Sequence, residues 1–220
     1  MIIKFSQSDT ENIQIVNVGK FNYSEKYLTE REILWNEKVA DAESRGATIW
    51  NSPIYIFHSV DRTETTTILR IGLCEFKDVL FSVAKGADYI IANFPEQGCV
   101  RSCAVTLITR TDKDNFTFPI TNNKTAQQPG KIHVIGGHLN ADETEIKEFD
   151  DVKRHLLKEI EEETTLIVKH EDLQLYCLNA NNGRITFVFD LVTRIPEDSI
   201  DTISKGTEIG NFEIFSRESY

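Results

Sequence analysis

The sequence predicts an α+β fold in which one long helix packs against a mixed or mostly antiparallel sheet. Strand-like runs dominate the chain from residue 99 onward, where Phe116, Phe118 and Ile120 alternate with other residue types. A single long stretch with helical spacing, residues 149–163, interrupts these runs. With 220 residues, 40% of them hydrophobic, the chain can bury a core as one domain or as a domain with an added N-terminal layer.

The N-terminal layer is expected to span residues 1–98 and to mix strands with helices. The pair Thr29 and Glu32 has capping-box spacing and predicts a helix from about Thr29 to Ala42. Apolar patterns predict the other elements of this layer: strands at 2–6 and 13–18, a strand pair at 52–60 and 65–73, and a helix at 75–84.

The main domain is expected to span residues 99–220, with the long helix in its middle. Asn182 and Gly183 predict a hairpin turn, because this residue pair tolerates positive φ. Apolar runs predict the strands of this domain: 103–111, 115–121, 131–137, 173–180 and 184–192.

Charge and composition narrow the function classes. Asp and Glu outnumber Lys and Arg by 35 to 24, and the net charge of -11 argues against a nucleic-acid or basic membrane-surface protein. No apolar run approaches a membrane span, so a cytoplasmic protein is expected. The four cysteines are expected to be reduced, with a zinc site as the alternative for Cys99, Cys103, His133 and His138.

The long helix ends in a run with four glutamates within five positions. Each helical residue advances about 100°, which places Leu156 and Ile160 on the apolar face. On the same count, Glu159 and Glu163 lie one turn apart at the edge of that face, whereas Glu161 points to water. The glutamates are therefore crowded beside buried residues.

The crowding of Glu159 and Glu163 is unfavourable without a partner, because like charges at i and i+4 repel and partial burial adds to that cost. A hard divalent cation such as Mg²⁺ prefers oxygen ligands and would offset the repulsion. The alternative is a solvated surface in which Lys158 pairs with Glu162. The preceding Gly136–Gly137 favours the cation, since glycine lets a backbone group approach a metal or phosphate closely.

Together, the glycine pair and the acidic helix resemble the box of the Nudix hydrolases. That box is glycine, five residues, glutamate, seven residues, then arginine–glutamate–apolar–any–glutamate–glutamate–any–glycine–apolar. Gly137 matches its first glycine, residues 158–166 match its last block, and Asp150 stands in place of its isolated glutamate. The chain departs from the box at Lys158 (arginine), at Thr165 (glycine) and in the twelve residues between Gly137 and Asp150.

The resemblance implies an α/β/α sandwich whose central helix is catalytic. It also implies Mg²⁺-dependent, or Mn²⁺-dependent, hydrolysis of nucleoside diphosphates linked to a second moiety. Glu159 and Glu163 would be the principal metal ligands, the Gly137 carbonyl would complete the shell, and Glu162 would be a further ligand or a proton acceptor. These three glutamates are the implied catalytic residues.

Segments outside the box resemble the Nudix branch that cleaves UDP-glucose and UDP-galactose to UMP and sugar 1-phosphate. They are ILWNEKVADAE, SPIYIFHS, LRIGLCEFKDVL and PGKIHVIGGH. A UDP-sugar site needs an apolar platform for uracil and cations for the diphosphate. The candidate substrate-binding residues are Trp50, Phe76, Ile132, His133, His138 and Lys124, with Arg101 as a further phosphate contact and core packing as the alternative for the apolar ones.

Two other functions stay open. ADP-ribose or another nucleoside diphosphate conjugate would use the same metal chemistry on a different substrate. The changes at Lys158 and Thr165 favour a non-catalytic Nudix-fold nucleotide-binding module, although such a module has no need for three crowded carboxylates. The sequence predicts a small-molecule partner, and neither nucleic acid nor a membrane is expected as a partner. It does not determine the oligomeric state.

Overall fold

The computed structural model describes residues 2–5, 12–46, 48–122, 130–181, 183–204 and 209–216. The strands in these ranges are β1 (Ile2–Lys4), β2 (Ile13–Lys20), β3 (Pro53–Arg62), β4 (Thr67–Glu75), β5 (Ser102–Arg110), β6 (Phe116–Thr121), β7 (Leu173–Asn181), β8 (Arg184–Leu191) and β9 (Ile209–Phe215). The helices are α1 (Glu25–Ser44), α2 (Phe76–Lys85), α3 (Ala87–Asn93) and α4 (Phe149–Glu163), with 3₁₀ turns at His170–Asp172 and Glu197–Thr202. Across the described ranges, no helix combines the length and the apolar character needed to cross a membrane.

The strands form one mixed sheet, which confirms the α+β prediction. Its order is β1-β7-β8-β5-β3-β4-β2, and β6 pairs with both β5 and β9 beside this path. The pairs β2–β4 and β5–β8 are parallel, while the others are antiparallel. Because β3 pairs with β5 through Ile56 and Ser102, the N-terminal strands and the later strands belong to the same sheet.

Helices cover both faces of this sheet. On β3, Tyr55 joins the main apolar core, which also contains Leu156 of α4. Its neighbours Ile54 and Ile56 join a second apolar cluster with Val79 of α2. Successive strand residues point to opposite faces, so α4 and α2 pack on opposite sides of the sheet.

The first predicted helix begins earlier than the capping-box spacing indicates. Ser24 precedes α1, and its hydroxyl oxygen accepts a hydrogen bond from the Tyr27 amide at 3.3 Å. Thr29, the predicted start, instead donates its hydroxyl to the Glu25 carbonyl oxygen at 2.9 Å. The sequence prediction missed α3 and β9, and it placed the start of α1 about one turn too late.

The strand predicted at residues 131–137 is wrong as a continuous strand. Isolated bridges tie Ile132, Ile135 and His138 to three residues of β6 and β5: Ile120, Leu107 and Ala104. Gly136 interrupts the pairing because its φ is +128°, outside the β region. The segment is therefore irregular where it passes the end of α4.

The predicted bounds of the acidic helix α4 are confirmed. Before its first turn, Asp151 Oδ2 accepts the amides of Lys147 and Glu148 at 2.8 and 2.9 Å, which satisfies two donors at the helix start. After its last turn, the Thr164 hydroxyl donates to the Ile160 carbonyl oxygen at 2.7 Å. Side chains thus fix both ends of the helix that carries the glutamates.

A buried ion pair joins α1 to α2. Arg31 Nη1 lies 2.7 Å from Asp78 Oδ1, and these side chains are 8% and 1% exposed. The other carboxylate oxygen of Asp78 accepts the Glu75 amide at 2.9 Å. Burial raises the pKa of Asp78, while the hydrogen bond and charge of Arg31 act in the opposite direction. Arg31 therefore opposes the effect of burial on this carboxyl group.

Candidate active site

Glu163, the last residue of α4, contacts the backbone at Gly136. It is 6% exposed, and its Oε2 accepts a hydrogen bond from the Gly136 amide at 3.1 Å. A side chain at position 136 is excluded twice, by the positive φ and because a Cβ there would lie 2.9 Å from the Val105 carbonyl carbon. Glycine therefore allows the backbone to run between β5 and the Glu163 carboxylate.

Glu159 lies one turn earlier and contacts the next residue of the same segment, Gly137. Its side chain is 17% exposed. A Cβ at Gly137 would lie 2.9 Å from the carboxyl carbon of Glu159, so a side chain here would require that carboxylate to move. The Gly137 carbonyl oxygen accepts the Val105 amide at 2.9 Å, which leaves a second lone pair for another contact. Two helix carboxylates thus meet two successive peptide units.

The contact between Gly137 and Glu159 gives a testable expectation. We expect Gly137→Ala to push the Glu159 carboxylate aside and to lower Mg²⁺ affinity about tenfold or more, the range for disturbed ligand positioning. Calorimetric titration with Mg²⁺ measures this. Gly210→Ala is the matched control, because a Cβ at Gly210 would meet neighbours only at 3.4 Å or beyond. Equal affinities for the two variants would contradict the proposed contact.

The other two glutamates of the run are exposed to solvent. Glu161 and Glu162 both lie at the surface. The Nζ of Lys158 donates to the Glu143 carbonyl oxygen at 3.2 Å. No ion pair joins Lys158 to Glu162 within the described part of the chain, where Lys158 instead contacts the backbone of Glu143.

His155, which the sequence prediction missed, lies beside Glu159. It is fully buried, and its Nε2 lies 3.3 Å from Glu159 Oε1 and 2.9 Å from the His138 carbonyl oxygen. Its Nδ1 lies 3.1 Å from the Thr144 hydroxyl. Helical counting would have revealed it, because positions 155 and 159 are one turn apart.

Glu143 completes a group of metal-binding residue types. One potential ligand atom each from Glu143, His155 and Glu159 lies within 4.8 Å of the others, and the described residues contain no other group of three or more such residues. Glu143 is exposed, and its Oε1 accepts the side-chain amide of Asn140 at 2.9 Å. The segment before α4 therefore places a carboxylate near the C-terminal glutamates of the helix.

The long connection between Gly137 and α4 packs against the sheet. The amide of Ile146 donates to the buried Tyr55 hydroxyl at 2.9 Å. Leu139 pairs with two strands, donating to Cys103 O at 2.9 Å and accepting from Tyr55 N at 2.8 Å. These bonds fix the extra residues in place beside β3 and β5.

The remaining departure from the box, Thr165, and the position of Asp150 are explained by local contacts. Thr165 anchors the helix exit, donating its amide to Ile203 O at 2.8 Å and its hydroxyl to Thr202 O at 3.1 Å. Asp150 lies in the first turn of α4, with Oδ1 3.5 Å from His170 Nε2. It is thus at the opposite end of the helix from the glutamates.

Two of the predicted substrate-binding residues lie together. The rings of Phe76 and His138 have centroids 5.8 Å apart and planes at 72°. Arg184 Nη2 also lies 3.2 Å from His138 Nε2. Burial, followed by the charge of Arg184, lowers the pKa of His138 to about 4. The ring is therefore neutral near pH 7 and its Nε2 can accept from the guanidinium.

The other predicted substrate-binding residues lie apart from this pair. Trp50 is 78% exposed, and Ile132 lines a shallow depression of about 820 Å³ with Lys131 and Glu213. His133 is partly buried, with Nδ1 2.8 Å from the Val134 carbonyl oxygen. Lys124 lies outside the described residues.

A cleft of about 890 Å³ opens between α2–α3 and the β7–β8 hairpin. Arg101 and Arg184 line it together with apolar side chains that include Val83 and Ile91. No carboxylate forms an ion pair with either arginine in the ranges that the structure describes. This cleft is therefore locally positive on a chain whose net charge is -11.

The four residues of the zinc alternative do not gather into a site within the described ranges. Cys103 is fully buried, and burial raises the pKa of its thiol. The Cys99 thiol contacts the Ala87 carbonyl oxygen at 3.7 Å. Cys103 is thus enclosed by the core, and the Cys99 thiol contacts the backbone.

Comparison with known proteins gives weak similarities. No family model and no curated protein matches the chain. Among solved structures, it is similar to the MutT protein from Methanosarcina mazei Go1 (19% identity, TM-score 0.39, covering 54% of this chain and 79% of that one). It is also similar to DR0079 from Deinococcus radiodurans (16% identity, TM-score 0.38, covering 54% and 68%). These values are too low to assign the chain to a family.

Proposed function

We propose that this protein is a Nudix-type hydrolase that cleaves the diphosphate of UDP-glucose or UDP-galactose to UMP and sugar 1-phosphate with Mg²⁺. The observation that carries the proposal is the placement of Glu159 and Glu163 against Gly137 and Gly136. Two largely buried carboxylates of like charge thus lie one turn apart, against a turn in which Gly136 leaves no room for a side chain. Binding of a cation explains the arrangement.

The residues at this turn fit a hard divalent cation. The potential donors are carboxylate oxygens of Glu159, Glu163 and Glu162 and the carbonyl oxygen of Gly137, and Mg²⁺ and Mn²⁺ prefer oxygen donors. Glu159 and Glu163 are largely buried, so their like charges repel in a medium of lowered dielectric. A divalent cation held by these residues would remove that repulsion.

The chemistry follows from the same residues. A bound divalent cation would neutralise the diphosphate and supply a nucleophilic water near neutral pH. Glu159 and Glu163 would hold the charge centre against the glycine turn. Glu162, which is exposed one residue before Glu163, is the candidate to accept a proton from the attacking water.

The choice of a UDP-sugar rests on the N-terminal sequence resemblance and on the surroundings of His138. We propose that residues 1–98 contribute to substrate recognition through Phe76, whose ring contacts that of His138. Arg184 and Arg101 offer positive charge without carboxylate partners in the described ranges. A nucleotide sugar carries both an aromatic base and an anionic diphosphate, which these groups complement.

The test of the proposal is nucleotide release from two substrates. We expect UMP from UDP-glucose only when Mg²⁺ is present, and little AMP from ADP-ribose. AMP as the main product would keep the metal chemistry and overturn the UDP-sugar assignment. No product from either substrate, with nucleotide binding detected, would favour the non-catalytic module.

A further inference from the structure

We propose that His155 is the residue that positions the Glu159 carboxylate, and that Lys158 is not. The inference rests on the proposed function, in which Glu159 is a cation ligand. Lys158 precedes Glu159 directly, yet its Nζ donates to the Glu143 carbonyl oxygen. Among the described cationic and histidine side chains, the group within 4.0 Å of the Glu159 carboxylate is His155.

The hydrogen bonds of His155 define its tautomer. Nε2 lies 2.9 Å from the His138 carbonyl oxygen, which can only accept, so Nε2 carries a hydrogen. Nδ1 faces the Thr144 hydroxyl, which can donate to it. Glu159 Oε1 lies 3.3 Å from the same Nε2, in a close contact that is not a hydrogen bond. The Nε2–H therefore donates to the His138 carbonyl oxygen, and its partial positive charge attracts the nearby Glu159 carboxylate at the longer distance.

Burial restricts the rotation of the His155 ring at this contact. His155 is fully buried, and both of its nitrogens are occupied, so the ring cannot turn without losing two contacts. Gly137 limits the Glu159 carboxylate on one side, and His155 lies on another. The carboxylate is therefore oriented before a cation arrives, which reduces the ordering cost of binding.

The distances also allow the reading that His155 is itself a ligand, in the group with Glu143 and Glu159. A histidine binds a metal through a nitrogen that carries no hydrogen. Nε2 is protonated by the argument above, and Nδ1 is engaged by Thr144. His155 therefore acts on the carboxylate and not on the cation.

The first test needs no cation. In protein labelled with ¹⁵N-histidine, we expect the Nε2-protonated tautomer at His155, assigned by its loss in His155→Gln. Glu159→Gln should shift the Nε2–H resonance, whereas Lys158→Met should leave it in place. An unchanged resonance in Glu159→Gln would overturn the contact, whatever the protein's activity.

The second test measures the affinity for Mn²⁺ by electron paramagnetic resonance. We expect His155→Leu to weaken binding about tenfold or more, as for other residues that orient a ligand, and His155→Gln, which retains an N–H donor, to recover most of the loss. Lys158→Met should change the affinity less than about twofold. Thermal melts confirm that each variant is folded.

The outcomes separate the two proposals. A larger loss in Lys158→Met than in His155→Leu, or a direct Mn²⁺–nitrogen coupling assigned to His155, would overturn the positioning role. Absence of Mn²⁺ binding by the unaltered protein would overturn the proposed function instead, and the resonance shift in Glu159→Gln would still decide whether His155 holds that carboxylate.

Discussion

Glu163→Gln is expected to lower the rate of UDP-glucose hydrolysis by about a thousandfold or more, while the protein stays folded. Loss of a cation ligand removes several kcal/mol of transition-state charge stabilisation, and each ~1.4 kcal/mol is a factor of about ten. Glutamine keeps an oxygen that accepts the Gly136 amide, so the buried hydrogen bond survives. The measurements are initial rates with Mg²⁺ and the melting temperature without it.

The matched control for this variant is Glu161→Gln. This substitution removes the same charge on the same turn of α4, but the Glu161 side chain is exposed. We expect a rate within about twofold of the unaltered protein, since surface substitutions of this kind have small effects. Equal, large losses in both variants would mean that net charge, and not the Gly136 contact, controls the rate.

Arg31→Met is expected to destabilise the protein by about 3–5 kcal/mol, the usual cost of leaving one partner of a buried ion pair alone. The Asp78 carboxylate is 1% exposed and would keep only the Glu75 amide among the contacts described above. Urea unfolding measures the loss. The double variant Arg31→Met with Asp78→Leu removes both charges and should regain most of the lost stability.

The same variant should show a defined pH dependence. Burial raises the pKa of Asp78 in the folded state, and loss of Arg31 removes an opposing influence. The folded state then holds the proton more tightly than the unfolded state, so Asp78 contributes stability below the unfolded pKa and loses it as pH rises through the folded pKa. Stability lost equally at acid and neutral pH would contradict an unpaired carboxylate as the cause.

The sequence predicted the features that depend on local periodicity. The bounds of α4 follow from the spacing of apolar residues in 149–163, and the exposure of Glu161 follows from helical counting. The strand pair β3–β4 and the hairpin β7–β8 follow from short apolar runs separated by turn residues. The residues that determine each of these elements are close together in the sequence.

Features that depend on distant partners were not predictable. The partner of Lys158 is a carbonyl oxygen fifteen residues earlier, in a connection whose path is fixed by Tyr55 of β3. Arg184 meets His138 only because β8 pairs with β5. None of these neighbours is encoded by spacing along the chain.

The central claim is that Glu159 and Glu163 together hold a divalent cation. Calorimetric titration of the unaltered protein with Mg²⁺, beside Glu161→Gln and the double variant Glu159→Gln with Glu163→Gln, tests it most directly. We expect one saturable site in the unaltered protein and in Glu161→Gln, and none in the double variant. Undiminished binding by the double variant would contradict the account, because the cation would then lie elsewhere.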